Sequence, residues 1–150
     1  LVFGKSKFSF VDEGLAHYFE QISHFVPQPE LLVLKDQASD KERESRHLLE
    51  ALSKRKYLDD GKTRVFLLDE KGKEHSSRQF ASELRKLQDS GTQRFVFVIG
   101  GAYGFTEELR TRFPLLSLSK LTFPHDLARV VLAEQLYRAG SLVRGEPYHK

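Results

Sequence analysis

Two stretches of this chain are apolar at every position, Val65-Phe66-Leu67-Leu68 and Phe95-Val96-Phe97-Val98-Ile99. A strand with one wet face alternates apolar and polar residues, so an unbroken apolar run marks a strand covered on both faces, as in a parallel sheet. Between the two runs, Phe80, Leu84 and Leu87 mark a helix that begins near Ser76 or Ser77, either of which can cap it. Strand, helix, strand at these lengths is a βαβ crossover, expected to be right-handed. Leu1-Val2-Phe3 reads as a first strand, and Val11, Leu15, Tyr18, Phe19, Ile22 and Val26 predict an amphipathic helix over residues 10 to 25, ended by Pro27. Leu31 to Leu34 form a short apolar run. Ser39 to Arg55 then read as a very polar helix whose stripe is Leu48, Leu49 and Leu52, expected to be largely solvated. The chain as a whole reads β-α-β-α-β-α-β-α-β-α, one α/β domain over residues 1 to 150.

Composition narrows the function classes. At 150 residues, 39% hydrophobic and 30% charged, the chain can bury one core and lies far from disorder. The absence of cysteine excludes disulfides, thiolate metal sites and cysteine nucleophiles, and suits a cytoplasmic protein. No membrane span or leader is visible, and since the chain starts inside a strand without Met, a few leading residues are expected to be missing. The net charge of +3 favours a polyanionic partner mildly, and a plain solubility charge explains it equally well. His17, His24, His47 and His75 are scattered without an HExxH spacing, so they read as surface residues and no metal is expected.

Three stretches carry candidate chemistry. Strand Phe95 to Ile99 runs into Gly100-Gly101-Ala102-Tyr103-Gly104, and Thr106-Glu107-Glu108 follows as a helix cap with acids in the first turn. Ligands of open α/β sheets sit beyond the carboxyl ends of strands, where glycines permit close approach to the backbone. The spacing differs from the dinucleotide fingerprint, and the two acids would repel a pyrophosphate, so a neutral or cationic nucleoside fits better. A plain tight turn explains the glycines equally well. Next, Leu116 to His125 alternates and ends in Pro124, which reads as an edge strand and a proline-initiated helix. That reading gives no task to Ser117, Ser119, Thr122 and Lys120 together. Finally, the helix from His125 to Arg144 spreads Val130, Val131, Leu132, Leu136, Leu142 and Val143 around most of its circumference. Such a helix needs cover on several sides, for which a second protomer is the economical source.

The motifs Val98-Ile99-Gly100-Gly101-Ala102-Tyr103-Gly104, Leu118 to His125, Glu134-Gln135-Leu136-Tyr137-Arg138-Ala139 and Gly145-Glu146-Pro147-Tyr148-His149 occur in this order. With Leu67-Leu68-Asp69 followed by Gly72-Lys73, they make the chain resemble the ribosomal large-subunit RNA methyltransferase H family, within the SPOUT or α/β-knot methyltransferases. The resemblance implies a mainly parallel sheet with helices on both faces, a carboxy-terminal trefoil knot, which is rare among folds, and a homodimer. It also implies methylation of N3 of a pseudouridine in large-subunit ribosomal RNA of assembled ribosomes. S-adenosylmethionine is then expected against Leu68, Gly100, Leu118, Ser119, Lys120, Leu121, Thr122 and Phe123. His125, Arg129, Arg138, Tyr148 and His149 fall on the catalytic and RNA-facing side. Departures from the family pattern are Ala102, where Pro is frequent, Pro124, and the small pair Gly140-Ser141 in the last helix. A related enzyme acting on another RNA such as transfer RNA, or a ribosome-binding factor without activity, are the competing readings.

Overall fold

A computed structural model describes residues 1 to 26, 29 to 36 and 40 to 146. Strands and helices alternate through them as the apolar patterning predicts: β1 (Val2–Phe3), α1 (Ser9–Ser23), β2 (Val33–Leu34), α2 (Lys41–Lys54), β3 (Thr63–Glu74), α3 (Ser77–Asp89), β4 (Arg94–Ile99), α4 (Glu107–Arg112), β5 (Leu115–Ser117) and α5 (His125–Arg144). The chain divides into two compact units. One holds Leu1–Lys5, Leu31–Glu74 and Gly91–Lys120; the other holds Ser6–Glu30, His75–Ser90 and the chain from Leu121 onward.

The first unit contains the sheet, in the order β2-β1-β4-β3-β5. Every strand pairing is parallel. The unbroken apolar runs are buried as their composition requires, with Leu67 and Val98 fully enclosed and Val65 and Val96 beside them. They share a core with Leu48 and Leu52 of α2 and with Phe105 and Leu109 around α4. Each fully buried leucine contributes about 1.5–3 kcal/mol relative to an exposed one. The sheet departs from expectation at β3, which does not stop at Leu68. It continues to Glu74, pairing Leu68 with Leu116 and, after an irregular stretch, Lys73 with the same Leu116. Sequence patterning missed this because residues 69 to 74 are polar and lack any strand periodicity.

Helix α2 is capped by Asp40, whose side chain accepts the Arg43 N–H at 3.0 Å. Its outward face is solvated as expected, but Glu44 and Ser45 are buried with Leu48 and Leu52. The stripe therefore begins one turn earlier than the leucines indicate. Spacing carries the signal, since 44, 48 and 52 lie four residues apart on one face, whereas residue type conceals it.

The second unit is helical, with α1 and α3 both packed on α5. Val11 and Leu15 of α1 form a core with Ala133 of α5. Ser76 caps α3 in a capping box, accepting from the Gln79 N–H while the Gln79 side chain accepts from the Ser76 N–H. Ser77 instead donates its hydroxyl to Gln135 of α5 at 2.9 Å. The several apolar sides of α5 thus find part of their cover within the chain. The small pair in α5 also has a physical reason: a Cβ on Gly140 would lie 2.7 Å from Cδ2 of Phe25, whose ring packs against Tyr137 at 5.6 Å. Ser141 beside it is fully buried. Gly140→Ala gains about 1 kcal/mol of helix propensity but overpacks against the ring root for about 1–3 kcal/mol. A net loss of stability is expected in a thermal melt, and Phe25→Leu in the same chain should recover it.

Candidate functional site

Parallel pairing brings three distant segments to one end of the sheet in the first unit. Leu68 lies opposite Ile99 of β4 on one side and Leu116 of β5 on the other. The carboxyl end of β4 leads into Gly100, and that of β5 leads into Leu118, so Leu68, Gly100 and Leu118 converge on the sheet end where open α/β folds bind ligands. Residues as far apart in sequence as Leu68 and Leu116 become neighbours through register alone.

The glycine turn is held from within. Gly100 is buried, and a Cβ there would lie 3.1 Å from Cζ of the buried Phe105 ring. A Cβ on Gly101 would collide with both carboxylate oxygens of Glu44. Glu44 accepts the Gly101 N–H, and burial, reinforced by the nearby Asp36, raises its pKa above the usual carboxyl range while that hydrogen bond pulls the other way. The turn closes with the Gly104 N–H on the Gly101 carbonyl at 3.0 Å. Beyond it, Thr106 caps α4 as the sequence predicts, accepting from the Leu109 N–H at 3.4 Å, and receives the Ser45 hydroxyl at 3.2 Å. Phe3, Glu44, Ser45, Leu48, Gly104 and Phe105 line a tight cleft behind the turn together with Gly100.

Arg110 of α4 crosses to the excursion in β3, donating from Nε to Asp69 at 2.8 Å and from Nη1 to Glu107 at 2.7 Å. The Asp69 side chain is only 3% exposed, so this is a largely enclosed pair. Asp69 also accepts the Lys71 N–H at 2.9 Å, which shapes the excursion. The guanidinium nearest Gly104 is thereby committed to two carboxylates.

After β5 the chain has no regular structure until α5. The buried Ser117 hydroxyl donates to the Ser119 carbonyl at 3.0 Å, turning the strand end. Leu118 and Ser119 are half-buried and Lys120 is exposed in the first unit; in the second, Thr122 is exposed, Phe123 half-buried, and Leu121 75% exposed, unusual for a leucine. Pro124 is the N-cap of α5, the helix start foreseen for it. His125 opens the helix at the surface, yet crowding around its imidazole lowers its pKa, the Arg129 guanidinium lowers it further, and Asp126 opposes both. Arg129 is buried and pairs with Asp126 at 3.4 Å. Arg138, half-buried, donates from Nε and Nη2 to one Glu134 oxygen at 2.9 and 2.6 Å. Tyr148 and His149 lie outside the described residues. Of the four scattered histidines, His17 and His24 are exposed as expected, whereas His47 and His75 are half-buried. No group of three metal-ligating side chains occurs among the described residues, and none of their helices is long and apolar enough to cross a membrane.

A parallel sheet with a glycine turn and an irregular segment at adjoining strand ends defines a ligand-binding α/β protein, and comparison with known proteins narrows that class. A family model described as "Predicted SPOUT methyltransferase" matches residues 1–149. The chain belongs to the SPOUT methyltransferases and, within them, to the ribosomal RNA large subunit methyltransferase H family. It is 40% identical to the protein of that name from Syntrophobacter fumaroxidans over 153 residues, covering 100% of this chain and 98% of the relative. It is 42% identical to that of Pelobacter propionicus over 146 residues, covering 97% and 94%. The Geotalea daltonii relative is 40% identical, with 97% and 94% covered.

Proposed function

We propose that this chain transfers the methyl group of S-adenosylmethionine to N3 of a pseudouridine in large-subunit ribosomal RNA, in assembled ribosomes, as a cytoplasmic homodimer whose carboxy-terminal chain forms the family's trefoil knot. One observation carries the cofactor assignment: register gathers Leu68, Gly100 and the start of the Leu118 run at one sheet end. The chemistry of the surroundings fits a sulfonium nucleoside better than a nucleotide. Glu107 and Glu108 stand exposed at the start of α4, and Arg110 is held by Asp69 and Glu107. A phosphate chain would meet acids there, whereas a cation is welcome. The relatives' name supports ribosomal RNA as the acceptor.

The bound cofactor supplies an electrophilic methyl group. The protein's part is to hold the acceptor nitrogen in line at near-attack distance, from which much of the rate can come. Backbone groups at Leu68, Gly100 and Leu118 hold the adenosine. His125, whose pKa is lowered by crowding around its imidazole and by the Arg129 guanidinium, or His149 accepts the N3 proton. Arg138 or Arg129 stabilises the developing imide anion or holds a phosphate. Of the two, Arg138 retains more surface for RNA, while Arg129 is buried beside His125. Dimerisation draws support from the exposed pair Phe8 and Phe10, whose rings lie 5.6 Å apart, and from exposed Leu127. The Lys7 N–H on Asp126 at 3.4 Å brings these groups together at the start of α5.

Calorimetry with S-adenosylmethionine tests the cofactor reading. The parent protein should bind it with an affinity that barely changes between low and moderate salt, because no phosphate is neutralised. Gly100→Val should abolish binding; since its side chain presses on Phe105, a thermal melt must accompany the titration. A folded parent that gives no binding, while still associating with ribosomes, would make the chain a non-enzymatic ribosome factor.

A further inference from the structure

Glu44 is a carboxylate that the methyl-transfer chemistry does not use and that is nonetheless 4% exposed. Enclosing a carboxylate is costly, and a leucine or methionine on this stripe of α2 would pack there without that cost. Asp36 and Asp40 stand near it and make a negative charge dearer still. What Glu44 obtains in return is the N–H of Gly101, the second residue of the turn that follows β4. Fit reinforces the hydrogen bond, since the carboxylate fills the space a Cβ on Gly101 would take. Its neighbour Ser45 reaches the same loop through the Thr106 hydroxyl. Two consecutive polar residues of α2 are therefore turned inward onto one loop.

We propose that Glu44 is a positioning residue for the methyl donor: by accepting the Gly101 N–H it fixes the peptide plane between Gly100 and Gly101 in the orientation that the cofactor meets. The inference rests on the reading of this turn as the S-adenosylmethionine site. A peptide plane joined to two glycines has few steric restraints on its rotation, so a buried acceptor on one face decides which way its carbonyl points. The residues that touch cofactor need no side chains, and their geometry is supplied from a different element.

The test is a double-mutant cycle read as S-adenosylmethionine affinity by calorimetry, well below each variant's melting temperature. Loss of a charge-assisted hydrogen bond should weaken binding by about tenfold or more in Glu44→Ala. Glu44→Gln, whose amide oxygen can accept the same N–H, should stay within about threefold of the parent. Gly101→Ala should weaken binding by about tenfold in the parent, where its methyl strikes the carboxylate, but much less in the Glu44→Ala chain, where that space is empty. A residue that only supports the fold would lower the melting temperature of Glu44→Ala and leave its affinity unchanged, and that result overturns the proposal. Additive losses in the cycle overturn it equally. Should Glu44→Ala fail to fold, Gly101→Ala and Glu44→Gln decide: parent-like binding by Gly101→Ala, or a tenfold loss in Glu44→Gln, rejects it. A parent that binds no S-adenosylmethionine rejects the cofactor reading itself, an outcome distinct from tight binding by both parent and Glu44→Ala.

Discussion

Gly72→Ala is expected to destabilise the protein by about 3 kcal/mol or more, the upper part of the range for overpacking, and to remove cofactor binding with it. A Cβ at this position would lie 2.5 Å from the carbonyl carbon of Leu116 and 2.6 Å from the backbone nitrogens of Leu116 and Ser117. These are main-chain atoms of β5, so no rotamer change relieves the overlap. The strand itself would have to move, yet it is tied to β3 on both sides of the excursion, through Leu68 opposite Leu116 and through Glu74 opposite Ser117. The loss corresponds to a fall in melting temperature of roughly 6 to 12 °C for a chain of this size. Because β5 delivers the chain to Leu118, its displacement should also disperse the segments gathered at the sheet end. A melt within about 2 °C of the parent would show that β3 and β5 do not approach as closely as described.

The second large effect concerns the acceptor side. Ribosomes from a strain lacking this enzyme, supplied with S-adenosylmethionine, should gain N3-methylpseudouridine measurable by mass spectrometry. Arg138→Ala, Tyr148→Ala and His149→Ala should each keep cofactor binding and lose about a hundredfold or more of the methylation rate, the usual scale for a lost proton acceptor or anion-stabilising donor. Glu134 pins the Arg138 guanidinium at 2.6 Å, so a lysine there should not restore activity fully. The pH profile adds a signed check on His125, whose folded pKa is lowered. Its imidazole is neutral above that value and can accept a proton, and it becomes charged as pH falls through it. The acidic limb of the rate should therefore lie below the ordinary histidine value of about 6.5 and vanish in His125→Gln if this side chain is the base.

Mixing extends the same assay to the proposed dimer. A protomer of net charge +3 offers modest attraction for a ribosomal hairpin, which calls for several phosphate contacts over a wide surface. A site that combines one protomer's cofactor with basic residues of its partner meets that need. An Arg138 variant mixed with a Gly100 variant should then recover part of the activity through the one intact site of each mixed dimer. No recovery despite confirmed subunit exchange would mean that each protomer works alone or that both sites must be intact. Naked hairpin RNA methylated as fast as whole ribosomes would exclude the assembled ribosome as substrate. Activity should fall steeply from low to moderate salt, unlike cofactor affinity.

The order of elements was legible in the chain because it depends on local patterning. Unbroken runs such as Phe95 to Ile99 announced strands enclosed on both faces, and the pair Ser76 and Ser77, like Thr106, announced helix starts through capping chemistry that acts within three residues, the structure choosing Ser76 of the pair. The glycine turn after β4 was legible as a candidate ligand loop for the same reason, and the resemblance of its flanking motifs supplied the family. Tertiary structure alone decided which strands are neighbours, and hence that Leu68 stands between Ile99 and Leu116. It also decided that β3 resumes after its excursion, that Gly72 must lack a side chain, and that Gly140 makes room for Phe25. Glu44 marks the boundary most clearly: in the sequence it is one more charge on a polar helix, and only the loop brought against that helix makes it a buried acceptor. Periodicity records which face of an element turns inward; the value of a polar residue on that face depends on what a distant part of the chain places opposite it.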